Sequence, residues 1–312
     1  MRARSSALWV TAARVGFPAQ AKGLAAMKVG INLLLWTGHV TSEHTPVLET
    51  IGEIGFDGVE VPVFDVSDAG HYRGVAQTLD DLGLERTAVA IMPDASHNPI
   101  SAERSHRKAA EDHLLRVIDC THALGGTVLA GPWFQPLGLF TGERPSEIEL
   151  ERCAEVHRRV LPVMAQAGIT PALEPLNRFE AHLLNTCEQA IAYCERVGEG
   201  RMGILFDTFH ANIEETDPVA ALVALHASGH LTHVHISEND RGTPGQGHAP
   251  IRETIAALRG AGYDQWLTIE AFGRGVPELA AATRVWRDFF ASPEQLCRDG
   301  YSFIQNCWEQ AA

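Results

Sequence analysis

Four short apolar runs in the second half of the chain each end in an acidic residue or a histidine. The residues at these ends are Glu174, Asp207, His235 and Glu270. They follow one another at intervals of 33, 28 and 35 residues, and one strand with its crossover helix takes about 30 residues. An ionisable side chain at the end of a buried strand costs free energy unless a partner or a ligand offsets its desolvation. The spacing therefore predicts four successive β/α units that deliver their side chains to the same end of a parallel sheet.

Strand-like apolar runs alternate with helix-like segments from Met27 onward. The predicted strands cover residues 29–35, 57–61, 86–91, 127–130, 169–173, 202–206, 231–234 and 266–269. The predicted helices cover 45–54, 72–82, 101–124, 147–167, 186–197, 217–226, 251–260 and 276–290, with a further C-terminal helix over 294–308. This alternation is typical of a parallel sheet. Eight such units favour closure, so we predict a single-domain α/β protein, a (β/α)8 TIM barrel with an extra C-terminal helix packed outside it.

The turn after the first strand argues against an open doubly wound sheet. Such a sheet usually carries a glycine-rich phosphate-binding turn at this point, whereas this chain has Trp36-Thr37-Gly38-His39. A chain of 312 residues also accommodates one barrel of about 250 residues without a second domain.

The first 26 residues differ in composition from the rest, because they contain four basic residues and no acidic one. An Ala-rich, Arg-bearing segment is also typical of an organellar transit peptide. The sequence Met27-Lys28-Val29 resembles a natural start, however, so we favour an upstream start or an expression remnant. We predict that residues 1–26 form a poorly ordered extension and that residues 27–312 form the catalytic barrel.

The composition argues against several classes of partner. The net charge is −14, which opposes nucleic acid because phosphate backbones require clustered Lys and Arg. No apolar run approaches the roughly 18 residues of a membrane span. The six cysteines are scattered and form no CxxC pair, which is typical of a reduced, cytoplasmic protein. The expected partner is therefore a small, uncharged molecule.

The four strand-end residues have the composition of a metal site. A single such residue could simply cap the next helix, but four at consecutive strand ends favour a shared ligand. Mostly oxygen ligands with one imidazole suit Mn²⁺, Co²⁺ or Mg²⁺, and the active site of a TIM barrel lies where the strands end. His233 lies in the same strand as His235, and we expect the two side chains to face opposite ways. We choose His235 as the ligand and keep His233 as the competing assignment.

Two carboxylates on opposite sides of one metal suggest proton chemistry. A divalent ion that holds a ketose by its carbonyl and adjacent hydroxyl makes the neighbouring C–H acidic. One carboxylate can remove that hydrogen and a second can return a proton to the other face, which inverts the carbon centre. We predict Glu174 and Glu270 as this pair, with an enediolate between the two steps that nearby cationic donors stabilise.

Further residues that follow the predicted strands are candidates for substrate contacts. His210 and Arg241 are donors suited to a developing oxyanion, although a core histidine and a solvated loop charge are the alternatives. Glu180 could accept a substrate hydroxyl, and Glu60 could contact the substrate or cap a helix. Aromatic candidates for an apolar wall against a sugar are Trp36, Trp133, Phe134 and Phe272.

Several of these segments resemble the signature motifs of the D-tagatose 3-epimerase family, which includes the D-psicose (D-allulose) and L-ribulose 3-epimerases. The segments are 173–180 (LEPLNRFE), 205–215 (LFDTFHANIEE), 233–241 (HVHISENDR), 244–247 (PGQG), 269–272 (IEAF) and 285–288 (VWRD). The resemblance covers nearly everything from Met27 onward, and the four strand-end segments occur in the family's order.

The resemblance implies a (β/α)8 barrel, a Mn²⁺ or Co²⁺ ion and reversible inversion at carbon 3 of a free ketose such as D-tagatose, D-fructose or L-ribulose. It implies Glu174 and Glu270 as the acid/base pair and substrate-holding roles for Glu180, His210 and Arg241. The metal ligands that it implies are Glu174, Asp207, His235 and Glu270. It also implies a homodimer or homotetramer.

Two features depart from the family pattern. Members of the family carry an aromatic residue early in the first strand, where this chain has Asn32, and the pocket segment 131–136 (GPWFQP) is its own. These positions are expected to contact the far end of the sugar. Asn32 and Trp133 are therefore predicted substrate contacts that bear on the preferred ketose and not on the reaction.

Other functions on the same barrel remain alternatives. An aldose–ketose isomerase of the hydroxypyruvate or rhamnose type, or an inositol-pathway dehydratase, would use a similar site, but Glu180, His210 and Arg241 favour the epimerase. A DNA-repair endonuclease would need additional histidines and a basic face. A non-catalytic sugar- or metal-binding protein would not need two opposed carboxylates.

Overall fold

Eight parallel strands close into one barrel in the part of the chain that the computed structural model describes, residues 27–198 and 202–311. The strands are β1 Lys28–Asn32, β2 Gly58–Pro62, β3 Glu85–Val89, β4 Val128–Gly131, β5 Thr170–Leu173, β6 Ile204–Asp207, β7 Leu231–Ile236 and β8 Trp266–Ile269. The predicted (β/α)8 barrel is confirmed. The extension predicted over residues 1–26 lies outside the described residues and stays a prediction.

Helices cover the outside of the barrel. They are α1 Thr45–Ile54, α2 Ala69–Asp81, α3 Arg104–Leu124, α4 Glu147–Gln166, α5 Cys187–Val197, α6 Thr208–Glu214, α7 Pro218–Ala227, α8 Ile251–Gly260, α9 Pro277–Thr283 and α10 Pro293–Gln310. The sequence supplies their ends: Ser146 and Glu149 form a capping box at the start of α4. Gly125 takes a left-handed conformation just past α3. No helix among the described residues is long and apolar enough to cross a membrane.

The floor of the barrel is a small apolar cluster built around the indole of Trp266. Its members are Val128, Ala130, Ala172, Leu205 and Trp266. Gly30 and Gly58 leave room for the indole, since a Cβ atom built on either glycine would lie 3.2 Å or 2.9 Å from the Trp266 ring. Residues two apart on a strand point to the same side, so Asp207 stands one step above Leu205, and Thr268 and then Glu270 stand above Trp266. The interior therefore becomes polar above this apolar floor.

The first strand ends earlier than predicted. We expected a strand over 29–35, but β1 stops at Asn32 and a 3-10 turn, Leu33–Leu35, follows. The side-chain oxygen of Asn32 accepts a hydrogen bond of 2.9 Å from the backbone N–H of Leu34. Asparagine side chains favour such local turns over strand pairing, and this turns the chain out of the sheet.

The end of the chain also differs from the prediction. The helix expected over 276–290 is only α9, because Arg284 takes a left-handed conformation with φ of 62° and Val285 is buried with Leu34 and Phe272. The predicted C-terminal helix is confirmed as α10, but it packs against α1 and α8 with a buried apolar face. It therefore occupies the place of the eighth outer helix, and the short helices α6 and α9 are the additional elements.

We predict that Gly58→Ala destabilises the barrel and that Gly74→Ala does not. A Cβ at position 58 would lie 2.2 Å from the Glu85 carbonyl oxygen, whereas no atom lies within 4 Å of a Cβ at position 74 in α2. Overpacking of this kind costs about 3 kcal/mol, and Gly to Ala within a helix gains roughly 0.5–1 kcal/mol. Urea denaturation measures both changes. Equal stabilities for the two variants would contradict the proposed packing.

Candidate metal centre and pocket

The four strand-end side chains meet at the carboxyl end of the barrel. Glu174 directly follows β5, Asp207 is the last residue of β6, His235 lies near the end of β7 and Glu270 directly follows β8. Strand pairing places them at a similar height along the barrel axis, because Asp207 is paired with His235 and the N–H of Glu270 donates to the Ile236 carbonyl. All four are buried, at 5% exposure or less.

The four side chains form one compact ligand set. One ligand atom from each lies within 4.8 Å of the others. His235 Nδ1 lies 3.5 Å from Glu270 Oε1, 3.7 Å from Asp207 Oδ2 and 3.9 Å from Glu174 Oε1. These separations are longer than hydrogen bonds and match ligands grouped around one ion at metal–ligand distances of about 2.1 Å.

The hydrogen bonding of this cluster tests whether the residues fit a cation. His235 Nε2 lies 2.7 Å from Glu60 Oε1, so the imidazole donates there and its Nδ1 lone pair faces the cluster. Among the described residues, neither His235 Nδ1 nor Glu174 Oε1 has a hydrogen-bond partner. Buried polar atoms are rarely left unpaired. Two unpaired acceptor atoms that lie among three carboxylates form a ligand set that fits a divalent cation.

The electrostatics of the cluster are those of crowded carboxylates. Burial and the neighbouring Glu270 raise the pKa of Glu174 well above its usual range. Burial also raises the pKa of Glu270 to about 7, although His235 and Arg241 oppose the shift. Burial would raise the pKa of Asp207 as well, but Arg241 and His235 outweigh it and hold that pKa below its usual range. The cluster thus combines one carboxylate with a lowered pKa, Asp207, and two carboxylates with raised pKa values, Glu174 and Glu270.

Arg241 is the cationic partner of the cluster. Its Nη1 donates to Glu270 Oε2 at 2.7 Å, to Ser237 Oγ at 3.0 Å and to Asp207 Oδ2 at 3.1 Å. Its guanidinium also stacks 3.7 Å from the ring centre of Phe209. The backbone takes the uncommon left-handed conformation, with φ of 63°. Arg241 is 6% exposed, so the solvated loop charge considered above is ruled out.

His210 is held in one tautomer. Its Nδ1 accepts a hydrogen bond of 3.0 Å from the backbone N–H of Asn177, so the neutral ring carries its proton on Nε2. Burial, reinforced by Arg241, lowers the pKa of His210 to about 4. Nε2 lies 3.6 Å from Glu174 Oε1 and 3.0 Å from Arg241 Nη2. The imidazole of His210 and the guanidinium of Arg241 therefore lie side by side next to the cluster.

Asn177 is a site residue that the sequence reasoning did not single out. Besides orienting His210, its side-chain N–H donates to Glu180 Oε1 at 2.8 Å, so it positions two predicted substrate contacts at once. The sequence could have identified Asn177 by its position within the motif at 173–180. Ser237 was also missed, and it links Arg241 to Thr208 at the start of α6.

The predicted aromatic wall lies around the same end of the barrel. Trp133 and Phe134 are fully buried, Phe272 is 5% exposed, and Trp36 is half-buried. Trp133 Nε1 is buried and has no hydrogen-bond partner among the described residues. Phe272 lies 5.2 Å from the Arg241 guanidinium, which places it beside the cluster.

Glu60 and Asn32 lie deeper than expected. Glu60 sits within β2, so it does not cap a helix, and it is completely buried. It contacts His235 on β7, which is not a neighbouring strand, so the contact crosses the barrel interior. Burial would raise the pKa of Glu60, but His235 and His233 outweigh it and hold that pKa below its usual range. Asn32 on β1 contacts both Glu60 and Glu270.

The prediction that His233 and His235 face opposite ways is wrong. The side-chain period of a strand is two residues, so both rings lie on the same side, with centres 5.2 Å apart. They differ in depth, since His233 Nε2 lies 2.9 Å from Glu60 Oε2 and only His235 belongs to the four-residue cluster.

A buried group behind the aromatic wall gives the stability a predictable dependence on pH. His157 is fully buried, with Nε2 3.3 Å from the Trp133 carbonyl and Nδ1 2.7 Å from the Tyr193 hydroxyl. Burial lowers the pKa of His157 to about 4. Below the unfolded pKa of about 6.5, the unfolded chain binds a proton that the folded chain does not, so acid destabilises the fold.

We predict that this group alone removes about 2 kcal/mol of unfolding free energy between pH 7 and pH 5. Urea denaturation of the wild type and His157→Gln across this range measures it, because other titrating groups such as His113 are common to both proteins. The stability difference between them should narrow as the pH falls. A difference that does not change with pH would contradict the buried, neutral imidazole.

Comparisons with known proteins agree with this architecture. The family model described as xylose isomerase-like TIM barrel matches residues 48–307. A probable ketose 3-epimerase from Synechocystis sp. is 31% identical over 285 residues, 91% of this chain and 97% of that protein. The L-ribulose 3-epimerase of Mesorhizobium japonicum is 32% identical over 280 residues, 89% of this chain and 93% of that protein.

Solved structures give the same result. An L-ribulose 3-epimerase structure superposes with a TM-score of 0.85 at 30% identity, and the match covers 91% of this chain and 95% of that one. A D-allulose 3-epimerase from Methylomonas sp. in complex with D-allulose superposes with a TM-score of 0.83 at 25% identity, covering 93% and 98%. These matches span the barrel and the strand ends that carry the cluster.

Proposed function

Since the chain belongs to the xylose isomerase-like TIM barrel family, we propose that it is a metal-dependent ketose 3-epimerase, an isomerase that inverts carbon 3 of a free ketose. The observation that carries the proposal is the pair Glu174 and Glu270. They come from β5 and β8, three strands apart around the barrel, and converge on one buried ligand set. The similarity to proteins named as ketose, L-ribulose and D-psicose 3-epimerases supports the same reaction.

The proposed metal ligands are Glu174, Asp207, His235 and Glu270. A divalent cation bound there polarises the carbonyl and the adjacent hydroxyl of a ketose and makes the hydrogen on the neighbouring carbon more acidic. Oxygen-rich ligands with one imidazole favour Mn²⁺ or Co²⁺, with Mg²⁺ as a further candidate.

The two glutamates would exchange the proton. The carboxylate on one face takes the hydrogen from carbon 3, and the carboxyl group on the other face returns a proton, so the carbon centre inverts through an enediolate. General acids and bases work best when their pKa values lie near the working pH. Without a cation, burial raises the pKa of both groups, that of Glu270 to about 7, and a bound cation would lower both pKa values again.

The substrate oxygens would be held by the neighbouring donors. His210 Nε2 and Arg241 Nη2 lie 3.0 Å apart, so a substrate oxygen bound next to them would contact both side chains. A developing negative charge there is stabilised without reorganisation. Glu180, held by Asn177, would accept a hydroxyl, and Trp133 and Phe272 would form the apolar wall.

The remaining assignments are proposals of the same kind. D-tagatose, D-fructose (with D-allulose) and L-ribulose are the candidate ketoses. A cytoplasmic location suits the six free, buried cysteines. Association into a homodimer or homotetramer would cover exposed aromatic side chains in loops of the barrel, such as Phe140, Phe179 and Trp286.

We predict that protein stripped with a chelator is inactive and that Mn²⁺ restores the epimerisation of D-fructose, D-tagatose or L-ribulose. In deuterated water the product should carry deuterium at carbon 3, because a protein carboxyl that exchanges with solvent returns the proton; NMR of the sugar measures this. An aldose product would instead identify an aldose–ketose isomerase. Unchanged ketoses together with tight Mn²⁺ binding would refute the reaction but not the metal site.

We also predict that Glu174→Gln and Glu270→Gln each lower kcat by about 10²–10⁴, because each removes a general acid or base. Mn²⁺ binding by both variants is measured alongside, so that lost metal can be separated from lost proton transfer. The control is Glu53→Gln, an exposed carboxylate on α1. If either glutamine variant keeps the wild-type kcat with Mn²⁺ bound, that glutamate is not part of the acid/base pair.

A further inference from the structure

Beneath the ligand set, the carboxylate of Glu60 is enclosed by four polar side chains. Its Oε1 lies 2.7 Å from His235 Nε2 and accepts an N–H of Asn32 at 2.9 Å. Its Oε2 accepts the hydroxyl of Thr87 at 3.0 Å and lies 2.9 Å from His233 Nε2, a contact without hydrogen-bond geometry. Three hydrogen bonds and the His233 ring thus surround the carboxylate, which has no exposed surface. Glu60 is therefore not open to a substrate hydroxyl.

Asn32 extends this arrangement to a second member of the ligand set. Its Oδ1 accepts the Leu34 N–H, which fixes the orientation of the amide. The two hydrogens on Nδ2 then point to Glu60 Oε1 at 2.9 Å and to Glu270 Oε1 at 3.3 Å. Asn32 and Glu60 are also directly paired across β1 and β2, so the backbone holds the amide and the carboxylate at a fixed separation.

The alternative, a second ion between Glu60, His233 and His235, does not fit these distances. Two ligands bound at about 2.1 Å from one ion and at least 90° apart are separated by about 3 Å or more. The nitrogen–oxygen separations here are 2.7 Å and 2.9 Å. The shorter one is a hydrogen bond between His235 and Glu60, and it already uses the His235 nitrogen that a second ion would need.

We propose that Asn32 and Glu60 form a positioning relay that holds His235 and Glu270 in their places in the metal site. Glu60 fixes the His235 tautomer with Nδ1 free, and Asn32 ties the carboxylate of Glu270 to the same anchor. Partners that orient metal-binding histidines typically contribute 10–100-fold to metal affinity. The inference rests on the proposed function only in taking the four-residue cluster as the metal site. It replaces direct substrate contact as the role of Glu60 and Asn32.

The relay is tested by Mn²⁺ affinity, measured by electron paramagnetic resonance on chelator-treated protein with no sugar present. We expect Glu60→Gln to weaken binding about 10–100-fold, and Asn32→Leu to weaken it by a smaller factor, since it removes two donors but leaves the His235 contact. The control, Glu43→Gln, changes an exposed carboxylate and should bind Mn²⁺ as the wild type does. Wild-type affinity in a folded Glu60→Gln protein would overturn the proposal.

The double variant separates a relay from two unrelated structural effects. Because both residues act through one shared hydrogen bond, the weakening in Asn32→Leu/Glu60→Gln should be less than the product of the two single effects. If the loss of Mn²⁺ affinity in the double variant equals the product of the two single losses, the relay is overturned. In protein loaded with the diamagnetic ion Mg²⁺, nitrogen NMR of the imidazoles gives an independent readout: the wild type should show the Nε2–H tautomer of His235, and Glu60→Gln should show a tautomer mixture.

Two further outcomes keep the conclusions distinct. If Glu60→Gln does not fold, Thr87→Val replaces it, because it removes one donor to Glu60 with little change of shape; unchanged Mn²⁺ affinity and an unchanged His235 tautomer would then count against the relay. If no ketose is epimerised but Mn²⁺ affinity follows the pattern above, the relay stands and the proposed reaction falls. A second Mn²⁺ per chain that disappears in Glu60→Gln would overturn the relay in favour of an ion site.

Discussion

The structure depends on the repulsion between carboxylates that are buried together at the mouth of the barrel. Glu174, Asp207 and Glu270 lie within one ligand set and are nearly inaccessible to water. Like charges in such an environment cannot all stay ionised without compensation. Arg241 supplies one positive charge, through contacts to Asp207 and Glu270. The acceptors on Glu174 and His235 that have no hydrogen-bond partner in the described part of the chain face the position where the proposed cation would supply further positive charge.

The barrel interior is layered so that this charge can be supported. Trp266 and the small residues around it form a dry floor. Above the floor, Glu60 on β2 contacts four polar side chains from three other strands: Asn32 on β1, Thr87 on β3, and His233 and His235 on β7. The ligand set forms the next level. The register of the paired strands sets the position of every inward-facing residue along the barrel axis, so the order of these layers is fixed. An ionic site can therefore sit over an apolar core without an unpaired charge between them.

The sequence predicts the barrel and the residues at its strand ends well, and the contacts inside the barrel less well. Strand spacing and the oxygen-rich residue types were sufficient to bring Glu174, Asp207, His235 and Glu270 together, because each position depends only on where a strand ends. The relation between His233 and His235 was misjudged although the two-residue period determines it. The depth of Glu60 and the contacts of Asn32 were beyond a linear reading, since they depend on which strands face one another across the closed barrel.

Two predicted elements also end earlier than their local pattern indicates, the strand over 29–35 and the helix over 276–290. The apolar run after Asn32 continues to Leu35 and resembles strand throughout, yet a single side-chain hydrogen bond to Leu34 ends the strand. The segment after Thr283 has helical periodicity, but burial of Val285 beside Phe272 and Leu34 outweighs continuation of the helix. Both departures lie at the carboxyl end of the barrel. The sequence is least locally consistent where the loops must surround a ligand and not merely connect the strands.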